Sequence, residues 1–356
     1  MQIARRKTRQ VRVGALSIGS DSAITVQSMS SVPASDIEGC VSQALRMQDA
    51  GCDIFRFAVP DKEAARVFYA AKNAGVTMPL VADIHFDHRI ALECVAAGAD
   101  KIRINPGNIG CDEYVRRVVT ACREKGLPIR IGVNSGSLEK EILARHGSPT
   151  PAALAESALY HAALLEKFDF YDTVISVKSS GTGSVVEANR ILAEKCDYPL
   201  HIGVTEAGSA HMGLIKSAVG IGSLLTDGIG DTVRVSLTAD PVSEIKAARD
   251  ILKAVGYNES GVTLVSCPTC GRTQIDLIGL VGEFEERQTE IKIKRPITVA
   301  LMGCAVNGPG EAREADIGIA GGKGEALLIK KGKAVRKISE ENIITELIDE
   351  INKMDN

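Results

Sequence analysis

From residue 24 to about 241 the chain repeats one alternation of apolar and polar positions, at intervals of roughly 20 to 40 residues. A short β-branched run ends in polar or glycine residues, and a stretch rich in Ala, Leu, Glu, Lys and Arg with helical period follows. The runs are Ile24–Met29, Ile54–Val59, Leu80–His85, Lys101–Pro106, Ile129–Asn134, Thr173–Lys178, Leu200–Thr205 and Thr232–Leu237. Ala-Gly-Cys-Asp before Ile54 and Ala-Gly-Ala-Asp before Lys101 read as helix ends feeding directly into strands. Eight such units predict a (β/α)8 barrel of the TIM type, with a doubly wound open sheet as the alternative. Residues 1–23 precede the first unit and are expected to form a hairpin closing the bottom of the barrel.

After Asp240-Pro241 a helical pattern runs from Val242 to Val255, and Gly256–Gly261 reads as a linker. We therefore divide the chain into a barrel, 1–258, and a smaller C-terminal α/β domain, 259–356. The second is expected to hold strands at Val262–Ser266, Ile297–Met302 and Asp316–Ala320. Helices are expected at Asp276–Glu286, Glu311–Glu314 and Ser339–Met354, with a hairpin near Gly332.

The polar exceptions inside the apolar runs carry the chemistry. Phe-Arg-Phe, Ile-Arg-Ile (twice) and Val-Arg-Val place Arg56, Arg103, Arg130 and Arg234 opposite in facing to their neighbours. If those neighbours face the helices, the arginines point into the barrel, and Lys178 joins them from the sixth run. Several cations converging on one anion make a binding site, most naturally for a phosphate or diphosphate. The blander alternative pairs each Arg with a carboxylate such as Asp83, Glu206 or Asp231. Asp83, His85, Asn105, Asn134, Ser135, Ser179, Thr205, Glu206 and Ser236 lie at run ends, where a barrel places its site. Asp83 and His85, two apart, are expected on one strand face, where His85 could act as acid, base or anion donor.

Three cysteines sharpen this. Ser266-Cys267-Pro-Thr-Cys270-Gly-Arg272 and Gly303-Cys304-Ala-Val-Asn-Gly-Pro-Gly-Glu311 both follow predicted strands, so their thiols can converge on a metal centre. Three sulfurs leave one coordination position open, and Glu311, at the start of a helix, could fill it with an exchangeable oxygen. The alternatives are a helix-dipole role for Glu311, a zinc site, or a Cys267–Cys270 disulfide. The other cysteines (Cys40, Cys52, Cys94, Cys111, Cys122, Cys196) are expected to be small buried apolar groups.

Composition narrows the range of functions. A net charge of −3 gives no global attraction to polyanions, and 4% aromatic content without Trp argues against base-stacking surfaces. No nucleic-acid or membrane partner is therefore expected. The basic start is followed by no apolar segment of a secretory signal, and nine irregularly spaced cysteines fit a reducing cytoplasm.

Taken together, Cys267-Pro-Thr-Cys270-Gly-Arg, Met302-Gly-Cys304-Ala-Val-Asn-Gly-Pro-Gly-Glu311-Ala, Ala82-Asp-Ile-His-Phe-Asp87, Ile102-Arg-Ile-Asn-Pro-Gly-Asn108, Ile131-Gly-Val-Asn-Ser-Gly-Ser137 and Gly203-Val-Thr-Glu-Ala-Gly208 resemble the (E)-4-hydroxy-3-methylbut-2-enyl diphosphate synthase family, in its bacterial two-domain form. The resemblance runs nearly end to end. It implies reductive ring opening of 2-C-methyl-D-erythritol 2,4-cyclodiphosphate in the non-mevalonate isoprenoid pathway. It also implies a [4Fe-4S] cluster on Cys267, Cys270, Cys304 and Glu311, with Glu311 leaving the iron when substrate oxygen binds and helping in proton transfer. The diphosphate would lie on Arg56, Arg103, Arg130, Lys178 and Arg234, with Asp83, His85, Asn134, Ser135 and Ser236 nearby. Flavodoxin or ferredoxin would supply electrons, and a homodimer would set the cluster domain of one subunit over the barrel of the other. The alternatives are an iron–sulfur (de)hydratase without net redox change and a metal-stabilised binding or regulatory module.

Overall fold

In the computed structural model the described residues are 3–257, 261–293, 295–306 and 308–355, without the side chains of 137, 309, 311 and 355. The chain forms two compact units, Met1–Gly256 and Tyr257–Asn356. The boundary expected between 258 and 259 lies outside the described residues.

The first unit opens with an antiparallel hairpin, β1 (Val11–Val13) and β2 (Leu16–Ile18). Val13 and Ile18 bury against Ile54 and Val81 near the starts of two barrel strands, so the hairpin caps the barrel's lower end as expected. The basic residues ahead of it work at the same end. Arg5 pairs with Asp231 at 2.9 Å, and Arg6 donates to the carbonyls of Ala193 and Tyr198. Asp231, one possible partner for the barrel arginines, is therefore occupied elsewhere.

Eight parallel strands follow: β3 (Thr25–Met29), β4 (Ile54–Ala58), β5 (Leu80–Asp83), β6 (Lys101–Ile104), β7 (Ile129–Asn134), β8 (Thr173–Lys178), β9 (His201–Ile202) and β10 (Thr232–Val233). Their hydrogen-bonded order is β8-β7-β6-β5-β4-β3-β10-β9, and an Ile175–Leu200 bridge joins β8 to β9 and closes the ring. All eight expected runs are strands, but β9 and β10 keep only two residues each. At Gly203 the backbone passes so close to the Arg234 carbonyl that a Cβ would stand 2.3 Å from it.

The registers set what fills the interior. Arg56 lies opposite Val81, Val81 opposite Lys101, Arg103 opposite Arg130, Arg130 opposite Val174, and Thr232 opposite both His201 and Thr25. Carried round an eight-stranded barrel of shear about eight, they stack the inward positions in layers of four from alternate strands. From the bottom these are Ile54, Lys101, Val174, Thr232; then Val81, Arg130, His201, Gln27; then Arg56, Arg103, Ser176, Arg234. Above them come Asp83, Gly132, Gly203, Met29, and then Ala58, Asn105, Lys178, Ser236. Apolar layers are the rule in such barrels. Here they are charged almost to the floor.

The second unit is a five-stranded sheet in the order β11 (Gly261–Ser266), β12 (Pro296–Met302), β13 (Ile317–Gly322), β14 (Glu325–Lys330), β15 (Lys333–Ser339). β11, β12 and β13 are parallel, and the last two strands run antiparallel. Helices Leu277–Glu286 and Ile343–Asn352 bury Leu277, Leu280, Phe284, Leu347 and Ile351 in one core with Val299, Leu301, Ile317 and Leu328. Its mass is enough to let this unit stand as a domain.

Candidate active site

Alternation along four barrel strands turns Arg56, Arg103, Arg130 and Arg234 inward, because the Ile, Phe and Val flanking them are needed under the helices. Arg103 donates to Asp83 at 2.9 Å and to the Gly132 carbonyl at 2.7 Å. It reaches that carbonyl only because Gly132 has no side chain: a Cβ there would lie 2.3 Å from Arg103 Nε. Arg56 stands 3.5 Å from Asp83 and points Nε at the Met29 sulfur, 3.2 Å away. Arg130 donates to Ser176 Oγ at 2.8 Å. Gly203 leaves space above β9, into which Lys178 Nζ extends to 3.4 Å from where a Cβ would be.

Five inward cations thus face one inward carboxylate, Asp83, while buried Glu244 of helix Pro241–Val255, which accepts from Ser28 Oγ and Leu237 N, adds a negative field at Arg234, Arg56 and Lys178. Burial opposes ionisation of Asp83, yet Arg56, Arg103 and Arg130 overcome it and hold the carboxyl far below its usual range. Burial first, then the neighbouring arginines, pushes Arg130 and Lys178 well below their ordinary values. Uncompensated buried charge costs several kcal/mol per ion. Lys178 Nζ, Arg234 Nε, Arg130 Nε, Arg103 Nε and Ser236 Oγ are buried without a hydrogen-bond partner. Such a wall is built for an anion carrying several oxygens. Among the described residues, direct ion pairs account for Arg56 and Arg103, which Asp83 brackets, and Glu244 reaches Arg234 and Lys178 only through its field.

The remaining expected residues separate by position. Asn134, at the end of β7, and Ser135, in the turn Ser135–Ser137, are half-buried, as is Thr205. Glu206 is exposed, in left-handed backbone (φ 52°). His85 does not share a strand face with Asp83, because β5 stops at Asp83. It lies exposed in the following bend, still near enough to help depress Asp83. Asn105, expected at the mouth, is buried there, its Oδ1 accepting from Gly132 N at 2.9 Å; missed from the sequence were Lys101, His201 and Gln27 in the lower layers. The alternation that exposed Arg103 in Lys101-Ile-Arg-Ile would have exposed Lys101 too.

In the second unit the cysteines follow two adjacent parallel strands. Ser266 of β11 lies opposite Leu301 of β12, so Cys267 and Cys304 emerge side by side at the strand ends. Gly303 N–H donates to Cys267 Sγ at 3.3 Å, while Thr273 N donates to the Cys270 carbonyl and folds the Cys-x-x-Cys segment into a turn. Cys304 is buried, Cys267 half-buried and Cys270 exposed. Arg272 sits in the field of all three; its backbone N–H and guanidinium draw the Cys270 thiol down from its usual value. Glu311 ends the short helix Gly308–Glu311, rather than starting one, and its side chain is outside the described residues.

Among the described residues no three His, Cys, Asp or Glu side chains stand close enough to share one metal ion. A four-iron cluster makes a different demand, since each ligand holds its own corner. Three thiols on two neighbouring turns, one receiving a backbone N–H and all near a cation that favours thiolate, fit that demand. Of the other cysteines, Cys40, Cys52, Cys94 and Cys122 are buried as expected and Cys196 partly so. Cys111 is exposed, because it occupies the N-cap of helix Asp112–Lys125.

The two units define a barrel enzyme whose inner wall seeks an oxyanion and whose partner domain presents three thiols at strand ends. Two family models cover nearly the whole chain: the GcpE TIM-barrel domain over residues 8–249 and the GcpE protein C-terminal domain over 263–353. Relatives named 4-hydroxy-3-methylbut-2-en-1-yl diphosphate synthase (flavodoxin) include those of Clostridium perfringens, 56% identical over 97% of this chain and 98% of the relative, and Geobacillus thermodenitrificans, 54% identical over 99% and 93%. That of Caldanaerobacter subterraneus is 54% identical over 98% of each. The chain belongs to this family, the 4-hydroxy-3-methylbut-2-en-1-yl diphosphate synthases. No described helix is long and apolar enough to cross a membrane.

Proposed function

We propose that the protein opens 2-C-methyl-D-erythritol 2,4-cyclodiphosphate reductively to (E)-4-hydroxy-3-methylbut-2-enyl diphosphate. Two electrons and two protons enter and one water leaves. The observation that carries this reading is the imbalance at the barrel interior, five converging cations against two buried carboxylates, Asp83 and Glu244. Arg56, Arg103, Arg130, Lys178 and Arg234 would neutralise the diphosphate and fix its orientation, with Asn134, Ser135, Thr205 and Ser236 as neutral donors around it. Asp83 keeps two of the arginines aimed inward, and exposed His85 can carry a proton at the rim.

A [4Fe-4S] cluster on Cys267, Cys270, Cys304 and Glu311 would supply the electrons and a Lewis-acidic iron for C–O cleavage. The Gly303 N–H to Cys267 Sγ bond and Arg272 stabilise negative charge on these sulfurs. Glu311 is the ligand that can exchange and hold a proton, a role no thiolate in the set can fill. The relatives' names favour flavodoxin as electron donor, with ferredoxin as the alternative. We place the enzyme in the cytoplasm as a homodimer in which the cluster domain of one subunit meets the barrel of the other.

Oxygen-free purification, iron and sulfide analysis, and turnover of the cyclic diphosphate with and without reduced flavodoxin test the proposal. Stoichiometric sulfide and strictly reductant-dependent product are expected. Conversion without reductant would favour a (de)hydratase, and colourless, zinc-loaded protein a binding module. Glu311→Gln should retain sulfide while losing most turnover, about 10²-fold or more if it moves a proton; wild-type rates would remove it from the chemistry.

A further inference from the structure

Beneath the arginine layer the barrel holds a second set of polar groups that the proposed reaction does not use. Lys101 (0% exposed), His201 (0%) and Gln27 (1%) occupy the two lowest layers, with Ile54, Val81, Val174, Thr232 and the lowest of the arginines, Arg130, as their inward neighbours. Lys101 Nζ, both ring nitrogens of His201, and Oε1 and Nε2 of Gln27 are buried without a hydrogen-bond partner. Thr25 and Thr232, the nearest hydroxyls by register, bond each other at 2.8 Å. Asp83, the inward carboxylate, stands higher and is committed to Arg56 and Arg103.

Donors outnumber acceptors here. An ammonium has three donors and no acceptor, the Gln27 amide adds two and neutral His201 one, against one amide oxygen and one imidazole nitrogen. Burial, then Arg130, lowers the proton affinity of both Lys101 and His201 strongly, so the charged lysine has no support within the protein. A core this unbalanced is unusual, because buried polar groups are nearly always paired. An eight-stranded barrel leaves an interior little wider than its own side chains, too narrow at the floor for a phosphate.

We infer that the lower barrel binds a small monovalent inorganic anion of halide size, held by Lys101 Nζ, His201 and Gln27 Nε2. The site lies at the floor of the diphosphate-binding cup, beside Arg130, and its three side chains have no part in the proposed reaction. Its occupant compensates Lys101 and takes up the surplus donors.

Thermal unfolding of the full-length protein is followed as potassium bromide replaces potassium gluconate at constant ionic strength. Inorganic diphosphate is present throughout to fill the upper arginines, and crystals from the same bromide buffer are measured at the bromine edge. The thermal midpoint should rise by about 2–6 °C, and an anomalous peak should lie within hydrogen-bond reach of Lys101 Nζ. Lys101→Met should abolish both while diphosphate still binds. Should that variant not fold, Gln27→Leu must weaken the bromide response. No midpoint rise in the wild type, a peak confined to the upper arginines with water beside Lys101, or an undiminished response in the folded variants would each overturn the site.

Discussion

Asp83 shows how one side chain can set the chemistry of its neighbours. Its carboxylate bridges Arg103 at 2.9 Å and Arg56 at 3.5 Å, both nearly buried. Removing one partner of a buried ion pair typically costs about 3–5 kcal/mol, so Asp83→Asn should destabilise the barrel by that order in urea unfolding at pH 7. The pH dependence has a definite sign. The folded carboxyl is depressed, so its stabilisation is complete above the unfolded value near about 3.9 and is lost as pH falls below it. The Asp83→Asn penalty should therefore shrink by about 1 kcal/mol on going from pH 7 to pH 3, and an equal penalty at both would contradict the assignment. The inward arginines were legible in the sequence because an Arg between two β-branched or aromatic residues can satisfy alternation in only one way. Lys101 obeys the same rule but opens its run, where a polar residue looks like a strand edge; His201, between Leu200 and Ile202, showed the full pattern and was overlooked. Cys111 could not be read as exposed, since its place at a helix N-cap depends on where the helix begins.

At the scale of the element, two glycines on neighbouring sides of the barrel make opposite demands. An alanine at Gly132 on β7 would press on the Arg103 guanidinium, the far end of a flexible side chain that can swing aside. Gly132→Ala should thus fold normally by circular dichroism while its KM for the cyclic diphosphate rises about tenfold or more, one misplaced charge-assisted contact being worth roughly 1.5–3 kcal/mol. At Gly203 the obstacle is the Arg234 carbonyl, which is backbone. Gly203→Ala should fail in folding yield before any kinetic effect can be seen, and a well-folded, fully active variant would refute the close approach. The eight runs revealed that strands exist here, but their lengths were hidden. Leu200–Thr205 and Thr232–Leu237 look as continuous as Ile129–Asn134, yet regular pairing stops at Ile202 and Val233. Glu311 was misplaced for a similar reason: Gly308-Pro-Gly begins the helical turn that Glu311 ends.

The whole molecule combines two independent cores, and the division was visible in the change from a repeating strand–helix pattern to a cysteine-bearing mixed one. What the pattern could not convey is how unevenly the barrel wall is knit. β7 and β8 are paired over six residues, whereas β8 and β9 meet through the Ile175–Leu200 bridge, and β9 joins β10 over two. The wall therefore has a seam, and cationic side chains stand on both sides of it, Lys178 on β8 and Arg234 beyond β10. An oxyanion gripped by both would act as a staple, tightening a stretch of backbone that its own hydrogen bonds hold only loosely. Amide hydrogen exchange should show β9 and β10 as the fastest-exchanging barrel strands in the free enzyme, slowed about tenfold or more by saturating inorganic diphosphate while β6 and β7 barely change. Uniform protection before and after would mean that the wall closes without help; a selective response would make the ligand a structural part of the barrel that binds it.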